Sequence, residues 1–273
     1  MRRILCGLIV LLFPVAAEAA VMWSGPITEI DGRLGPQYTG TGSSDVRLRF
    51  RPMSSLQKNL VLENIYIHDV WNQKAIDIGQ TINSNGTIWG YESITLRHYE
   101  ATRINRDESK FPGLHIDFLR IAGGNPQGKP TDILLEDIHL HDGDALPLII
   151  QDGNFGTVTL RNVRIENTSL NNIHIATINS GSFQKIIIEN SPGLRVALMG
   201  KAGSIGEVIV RNSPGANVTD VYTKGQYTGA KIMVDTSPLS GHVNTPEPAG
   251  MVLLAGLTTL ALRRRRESGD LLN

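Results

Sequence analysis

The hexapeptide Val158-Thr159-Leu160-Arg161-Asn162-Val163 is one copy of a pattern that decides the fold. Aliphatic residues alternate with other residues and are followed by a charged residue and then Asn or Asp. Such an alternation is typical of a strand with one buried face. The pattern begins again at Leu60, Ile133, Ile186 and Val208, with weaker copies at Ile94 and Ile232.

The spacing of these copies indicates a repeat architecture. The Asn or Asp position falls at 64, 98, 137, 162, 190, 212 and 236, which gives intervals of 34, 39, 25, 28, 22 and 24 residues. Intervals in the low to middle twenties suit one coil of a solenoid, and longer ones indicate inserted loops. A second strand is predicted within the intervals at 75–78, 114–118, 146–151, 172–175 and 194–198.

The sequence therefore predicts an all-β fold, a single-stranded parallel β-helix solenoid of about seven coils over residues 46–240. The repeated Asn is expected to adopt left-handed backbone angles at a tight turn and to form a hydrogen-bonded ladder along the axis. A two-sheet sandwich is the alternative, but sandwiches lack a repeated sequence at fixed spacing.

The repeat resembles the pectate-lyase-like right-handed β-helix superfamily across residues 46–238. This resemblance implies right-handed coils and an exposed strand face that holds polysaccharide. No triplet of residues matches the calcium-binding aspartates and catalytic arginine of the pectate lyases, or the aspartate set of the polygalacturonases. The resemblance therefore concerns the fold and not an activity.

The amino-terminal end has the features of a secretory signal peptide. Basic residues at 1–3 precede an apolar stretch at 4–15, and Ala17-Glu18-Ala19 offers a site for signal peptidase. We assign residues 1–19 to the signal and 20–45 to an N-terminal cap or a preceding strand. The single cysteine, Cys6, lies in the signal, so thiol chemistry and disulfides are excluded from the exported part.

The carboxyl-terminal end combines three features in a fixed order. A linker at 241–245 leads to Pro246-Glu247-Pro248, then to an uncharged stretch at 249–262, and then to the basic cluster Arg263, Arg264, Arg265 and Arg266; a polar tail follows at 267–273. At about 21 Å as a helix, the apolar stretch is short for a permanent membrane span of about 30 Å.

The order of these features resembles the PEP-CTERM sorting signal at 246–266. The resemblance implies an exosortase-type sorting enzyme as a partner, beside signal peptidase. It also implies an exported protein of the cell envelope or extracellular space, held for a time in the inner membrane of a Gram-negative bacterium. The polar tail after the arginines departs from that pattern.

A row of polar side chains on the predicted second strands forms the candidate site. Ile76-Asp77-Ile78 and Ile116-Asp117-Phe118 look alike, which places Asp77 and Asp117 on adjacent coils, exposed and about 5 Å apart. Such a pair could act in retaining glycoside hydrolysis or bind calcium. The residues predicted to contact substrate are His115, Arg120, Gln151, His174 and Arg195.

Two other observations limit the chemistry. His139 and His141 alternate on one strand face and could share a metal ion, but the run to Asp144 is also typical of a turn. The chain carries 26 basic and 26 acidic residues, and several basic ones belong to the targeting segments. The remaining body is mildly acidic, which argues against nucleic acid as a partner.

Three functions are compatible with the sequence. The first is binding of an extracellular or envelope polysaccharide on the exposed strand face. The second is an enzyme, a polysaccharide lyase or glycoside hydrolase that acts on an acidic polymer through Asp77 and Asp117. The third is a structural adhesin or spacer, because a rigid solenoid needs no defined ligand for that role.

Overall fold

The computed structural model describes residues 20–23, 27–34, 46–54, 57–82, 84–111, 114–123, 129–221 and 227–235. All of them belong to the first of two compact units, Met1–Ser237 and Pro238–Asn273. The predicted signal peptide, linker, sorting motif and polar tail lie outside the described residues. Within the described residues there are eighteen strands and no helix, and hence no helix of the length and apolarity that crosses a membrane.

The strands follow one another along the chain with short connections. In order they are β1 (Ala20–Trp23), β2 (Thr28–Asp31), β3 (Val46–Phe50), β4 (Asn59–Trp71), β5 (Lys74–Gly79), β6 (Thr81–Ile82), β7 (Ile88–Trp89), β8 (Ser93–Asn105), β9 (Asp117–Ala122), β10 (Thr131–Gly143), β11 (Leu146–Gln151), β12 (Asn154–Thr168), β13 (Asn172–Ala176), β14 (Ser182–Glu189), β15 (Arg195–Met199), β16 (Ile205–Arg211), β17 (Asn217–Val221) and β18 (Lys231–Asp235).

These strands form two parallel sheets that the chain visits in turn. The first sheet has the order β1-β4-β8-β10-β12-β14-β16-β18, with β2 also paired to β4, and the second has the order β17-β15-β13-β11-β9-β5-β3. One strand from each sheet makes a coil, and successive coils stack. The described part of the chain is therefore a parallel β-solenoid, as predicted, and the antiparallel sandwich is wrong. A small antiparallel pair, β6 and β7, is inserted between coils.

The residues between the predicted signal and the solenoid body extend the first sheet. β1 pairs with residues 59–62 of β4, and β2 pairs with residues 65–68 of the same strand. Together they occupy the rung that precedes β4. The next strand, β3, starts the second sheet by pairing with β5.

Columns of aliphatic side chains run along the axis and form the core. Because the strands pair in register, each inward side chain lies on its counterpart in the next coil. One column is exposed to 2% or less at every position: Leu60, Ile94, Ile133, Val158, Ile186 and Val208. A single coil could not bury these side chains by itself, so the stacking of coils is what makes the fold stable.

Left-handed residues bend the long strands of the first sheet at two places. The predicted Asn column is confirmed, with φ between 45° and 58° at Asn64, His98, Asp137, Asn162, Asn190 and Asn212. A second column, with φ between 49° and 55°, was not predicted and comprises Asp69, Arg103, Asp142 and Asn167. Both columns contain ladder hydrogen bonds, from Asn162 Nδ2 to Asp137 Oδ1 at 2.7 Å and from Asn167 Nδ2 to Asp142 Oδ1 at 3.0 Å.

Charged residues of alternating sign form a third ladder, one position before the first column of bends. Arg161 lies between two carboxylates, with Nη1 2.8 Å from Glu136 and Nε 3.0 Å from Glu189. Burial raises the pKa of Glu136, but the hydrogen bonds and positive charges of Arg161 and Arg97 lower it by more, so the pKa lies below its usual value. The ladder consists of Glu63, Arg97, Glu136, Arg161, Glu189 and Arg211.

The first column of bends can be tested at Asn162. The Asn162→Val variant should lose about 2–3 kcal/mol of unfolding free energy, because it places a β-branched residue at positive φ and removes the ladder bond to Asp137. Asn162→Gly keeps the backbone conformation and should lose only about 1 kcal/mol. Urea unfolding followed by circular dichroism would measure both. Equal losses of unfolding free energy in the two variants would show that the left-handed conformation at Asn162 does not affect stability.

Candidate functional site

The predicted pair of carboxylates, Asp77 and Asp117, is not formed. Asp77 pairs in register with Arg120, whereas Asp117 pairs with Leu146. Both aspartates are also buried, with 2% and 0% of their surface exposed, so the expected exposed positions are wrong. This register gives no geometric basis for a retaining hydrolytic pair or for calcium held between the two side chains.

The prediction was wrong because it assumed the wrong register between β9 and β5. The inward residues that continue the column of Ile76 and Ile78 are Leu119 and Ile121, three residues later than the frame assumed from Ile116 and Phe118. Period-2 alternation alone does not reveal this shift, because apolar residues occupy 118, 119 and 121. The connection between β8 and β9 ends later than the sequence suggested.

Asp77 is the counterion of an arginine cluster on the second sheet. Arg51 Nη2 lies 2.6 Å from Asp77 Oδ2, Arg49 Nε lies 3.8 Å from the same oxygen, and Arg120 Nη1 lies 3.7 Å from Oδ1. Three guanidinium groups thus share one carboxylate. The arginine side chains remain 30–38% exposed, so the cluster presents guanidinium groups to solvent.

Asp117 lacks such compensation. Its side chain is fully buried, and neither carboxylate oxygen has a hydrogen-bond partner within the described part of the chain. His115 Nδ1 lies 3.2 Å from Oδ1, on a side chain that is 62% exposed. Burial lowers the pKa of His174, the charge of His115 acts in the same direction, and Asp117 opposes it. The three side chains are therefore one electrostatic group.

A cleft occurs where the solenoid changes its cross-section. The second half of β12 pairs with β10 through Thr168, but β14 ends at Glu189 and pairs only with residues 154–161. Residues 163–168 are therefore left without a strand partner on one side, apart from a hydrogen bond from the Val163 amide to Ser191 Oγ at 2.9 Å. The turn that follows β14 leaves a cleft of about 610 Å³ beside this free edge.

The lining of this cleft is rich in amide and guanidinium groups. The lining includes Arg164, Glu166, Arg195 and four asparagines. Each asparagine uses one end of its side-chain amide inside the protein: Asn162 and Asn167 donate through Nδ2, and Asn171 and Asn190 accept through Oδ1. Arg164 is paired with Glu166 at 2.7 Å. In contrast, Arg195 has no carboxylate within 4.0 Å among the described residues and is exposed.

The structure divides the predicted substrate residues among separate places. Arg120 belongs to the Asp77 cluster, and His115 and His174 accompany Asp117. Gln151 ends β11, where it pairs with Ala122 and Ala176. Only Arg195 lines the cleft. The sequence signal for the cleft was the fifth interval, which shortens to 22 residues between positions 190 and 212, where the second column of bends is absent.

These features define a class of protein, a parallel β-solenoid that carries a polar cleft at a step between wide and narrow coils. Comparisons of the chain with protein-family models, with curated proteins and with solved structures find no match.

The two aspartates should respond in opposite ways to neutralisation. Asp77→Asn leaves three guanidinium groups without their counterion and should cost roughly 2–4 kcal/mol, discounted for their partial exposure. Asp117→Asn removes a buried carboxylate that makes no hydrogen bond among the described residues and whose charge partner, His115, is exposed. It should therefore cost no stability and could raise it by about 1 kcal/mol. Urea unfolding of the two variants would measure the difference. An equal loss in both would contradict the view that Asp117 is held at an energetic cost.

Proposed function

We propose that this chain is an exported, surface-sorted β-solenoid that binds an acidic extracellular or envelope polysaccharide in the cleft at the step. The observation that carries the proposal is Arg195, a guanidinium that has no carboxylate partner among the described residues. It lies in a cleft lined also by four asparagines, the ion pair between Arg164 and Glu166, and apolar side chains. A guanidinium binds a carboxylate through two parallel hydrogen bonds, and each uronate unit of an acidic polysaccharide carries such a carboxylate.

The rest of the cleft suits sugar hydroxyl groups. Amide groups both donate and accept hydrogen bonds. The carbonyl oxygens of Asn162 and Asn167 and the NH2 groups of Asn171 and Asn190 are the ends not used in the hydrogen bonds described above. The cleft volume of about 610 Å³ lies within the range of small-ligand sites. A polymer need only place a short segment there, because the cleft is open beside the free edge of β12.

The arginine cluster around Asp77 supports an anionic ligand. β5 and β15 belong to the same sheet and are separated by β9, β11 and β13, which corresponds to about 19 Å at the usual strand spacing. A chain of acidic sugars bound at Arg195 could extend along the sheet toward Arg120 and Arg49. The exposed guanidinium groups at that end would attract further carboxylates.

An enzyme is the second candidate, and Asp117 is the observation that favours it. A buried carboxylate without hydrogen bonds is typical of residues kept for chemistry rather than for stability. Beside His115 and His174 it could exchange a proton with an acidic polymer, as a lyase or glycoside hydrolase requires. The third candidate, a structural adhesin or spacer, has only the rigidity of the stacked coils in its favour.

Binding can be tested by affinity electrophoresis of the purified chain in gels that contain polygalacturonate, alginate or neutral dextran. We expect retardation by the acidic polymers and a loss of roughly tenfold to hundredfold in affinity for Arg195→Ala, because one charge-assisted contact contributes about 1.5–3 kcal/mol. Lys201→Ala, an exposed cation beyond the other end of β15, is the matched control and should bind normally.

The same samples distinguish the alternatives. Equal retardation of Arg195→Ala and the unaltered chain would refute the cleft as the binding site, and no retardation on any polymer would leave only the spacer. Release of new reducing ends or of unsaturated uronate absorbance, abolished by Asp117→Ala, would replace the binding function with the enzyme. Asp117→Asn provides the folded comparison for that loss.

Sorting at the surface is the second half of the proposal, and it is supported by the resemblance of 246–266 to the PEP-CTERM signal and of 1–19 to a signal peptide. Signal peptidase and an exosortase-type enzyme would be the processing partners. Residues 249–262 would hold the chain in the inner membrane until cleavage. The body would then be a pectate-lyase-like right-handed β-helix released to the envelope or beyond.

Processing can be followed by intact-mass measurement of the protein recovered from a host that has an exosortase. The expected species lacks residues 1–19 and the segment that follows Pro246-Glu247-Pro248. A Glu247→Ala variant should keep its carboxyl-terminal segment and remain in the membrane fraction. Recovery of the unaltered protein at the surface with Arg263 to Arg266 still present would contradict exosortase processing, while leaving the polysaccharide proposal untouched.

A further inference from the structure

A cluster of imidazole and carboxylate groups lies on the outer face of the first sheet, in the segment between the two columns of bends. His139 and His141 are two residues apart on β10, so their side chains share one face, and their rings stack with centroids 4.2 Å apart. Glu100 on β8 pairs in register with His139. One ligand atom from each of these three residues lies within 4.8 Å of the other two.

The ring of His141 is oriented by a neighbouring carboxylate. Asp142 Oδ2 lies 2.8 Å from Nδ1, and Glu100 Oε1 lies 3.2 Å from Nε2. A neutral imidazole has a single N–H, and when Asp142 accepts it, the Nε2 lone pair faces another acceptor. A cation bound between Nε2 and Glu100 stabilises this arrangement. A carboxylate on the remote nitrogen is also the usual partner of a metal-binding histidine.

His139 has a comparable environment. Its Nε2 lies 3.1 Å from Glu166 Oε2 on β12, and the other oxygen of Glu166 is held by Arg164. The cluster therefore contains three carboxylates, those of Glu100, Asp142 and Glu166. Arg164 pairs with Glu166, and Arg103, whose charge adds to the hydrogen bond with His141 in lowering the pKa of Asp142, is itself paired with Asp69. This excess of negative charge favours a cation. His139 and His141 are partly exposed, so an ion can reach them from solvent.

The chain contains a second histidine in the same structural position, His68 on β4. Its Nδ1 lies 2.7 Å from Asp69, and its Nε2 lies 3.1 Å from Glu29, much as in His141. The residue stacked against it is Tyr66, which cannot replace His139 as a nitrogen ligand. Asp69 also forms an ion pair with Arg103, whose Nε lies 2.6 Å from Asp69 Oδ1. The ligand atoms of His68 lie near those of Asp31 and Asp69, but Asp31 is likewise paired with Arg33, at 2.7 Å. His68 thus reproduces the packing of His141 without a second histidine, and both of its neighbouring aspartates are bound to arginines.

We propose that Glu100, His139 and His141 form a binding site for a transition-metal dication, with Zn²⁺ as the ion. Two imidazole nitrogens and one carboxylate are a known donor set for zinc, with a fourth position left for water or for Glu166. Imidazole ligands favour Zn²⁺ over Ca²⁺ or Mg²⁺, which take oxygen ligands. Donor atoms in a tetrahedral site lie roughly 3.3 Å apart, so the side chains need only small rotations.

The three ligands of this site do not line the proposed polysaccharide cleft, although their neighbour Glu166 does, and the site joins two coils. Glu100 belongs to one coil and the two histidines to the next, so a bound ion would tie β8 to β10 outside the hydrophobic core. A ligand that binds only the folded state raises its stability. Both histidines lie within β10, and the turn predicted from the Asp and Gly residues follows them, with a left-handed bend at Asp142 and a bend at 144–145 before β11.

The site can be tested on the untagged full-length chain by titration with Zn²⁺ and, as a spectroscopic probe, with Co²⁺. We expect one ion per chain and a Co²⁺ visible absorption typical of low coordination number. His141→Gln and Glu100→Gln should each weaken Zn²⁺ binding at least about tenfold, as removal of ligands and of their supporting groups does. His68→Gln is the matched control and should leave the affinity unchanged.

The outcomes are separable from those of the polysaccharide experiment, since the readout is metal binding alone. Unchanged affinity in both His141→Gln and Glu100→Gln, or equal weakening by His68→Gln, would overturn the assignment. So would the absence of stoichiometric binding by the unaltered chain. Thermal unfolding of each variant without metal controls for loss of fold, and Glu100→Gln, at an exposed position, is the variant that should keep it.

Discussion

The register between successive coils is the constraint on which the rest of this structure depends. Each coil has too few residues to enclose a core, so its inward aliphatic side chains are dry only when the next coil presents matching side chains directly above them. That requirement fixes the spacing of Leu60, Ile94 and Ile133, whatever the length of the loops between them. Loops of variable length are tolerated because the cost of closing them grows slowly with length.

A fixed register inside the solenoid also aligns the side chains outside it. Each outward residue meets its counterpart at about 4.8 Å in the next coil, a distance at which like charges repel and opposite charges attract. Alternation of sign from Glu63 through Arg97 to Glu136 follows from this geometry. The same alignment lets one asparagine donate to the residue below it, as Asn162 does to Asp137.

The amino-acid sequence was sufficient to predict the repeated features but not their exceptions. The fold class and the first column of bends were predictable because they recur at 64, 98, 137, 162, 190 and 212 and agree with each other. The second column was not, because Arg103 stands among acidic and amide residues and gives no local sign of a turn. Asp77 and Asp117 were misaligned because a loop of unknown length precedes each strand. Alternation shows which residues share a face, but it does not show which residue of one coil pairs with which residue of the next.

The groups that can act on other molecules are found where the ladders are interrupted. In a regular column each charged or amide side chain is satisfied by the coils on either side, and it has little left to offer a ligand. Arg195 lies at the edge created when β14 ends early, and Asp117 follows the long connection into β9. His139 and His141 face three acceptors, Glu166 on β12, Glu100 on β8 and Asp142 on β10 itself. Since loop insertions and strand endings cost a solenoid little, such interruptions can be acquired without loss of the core. Function in this chain is therefore best sought at its irregular coils, where polar groups are left to a partner outside the chain.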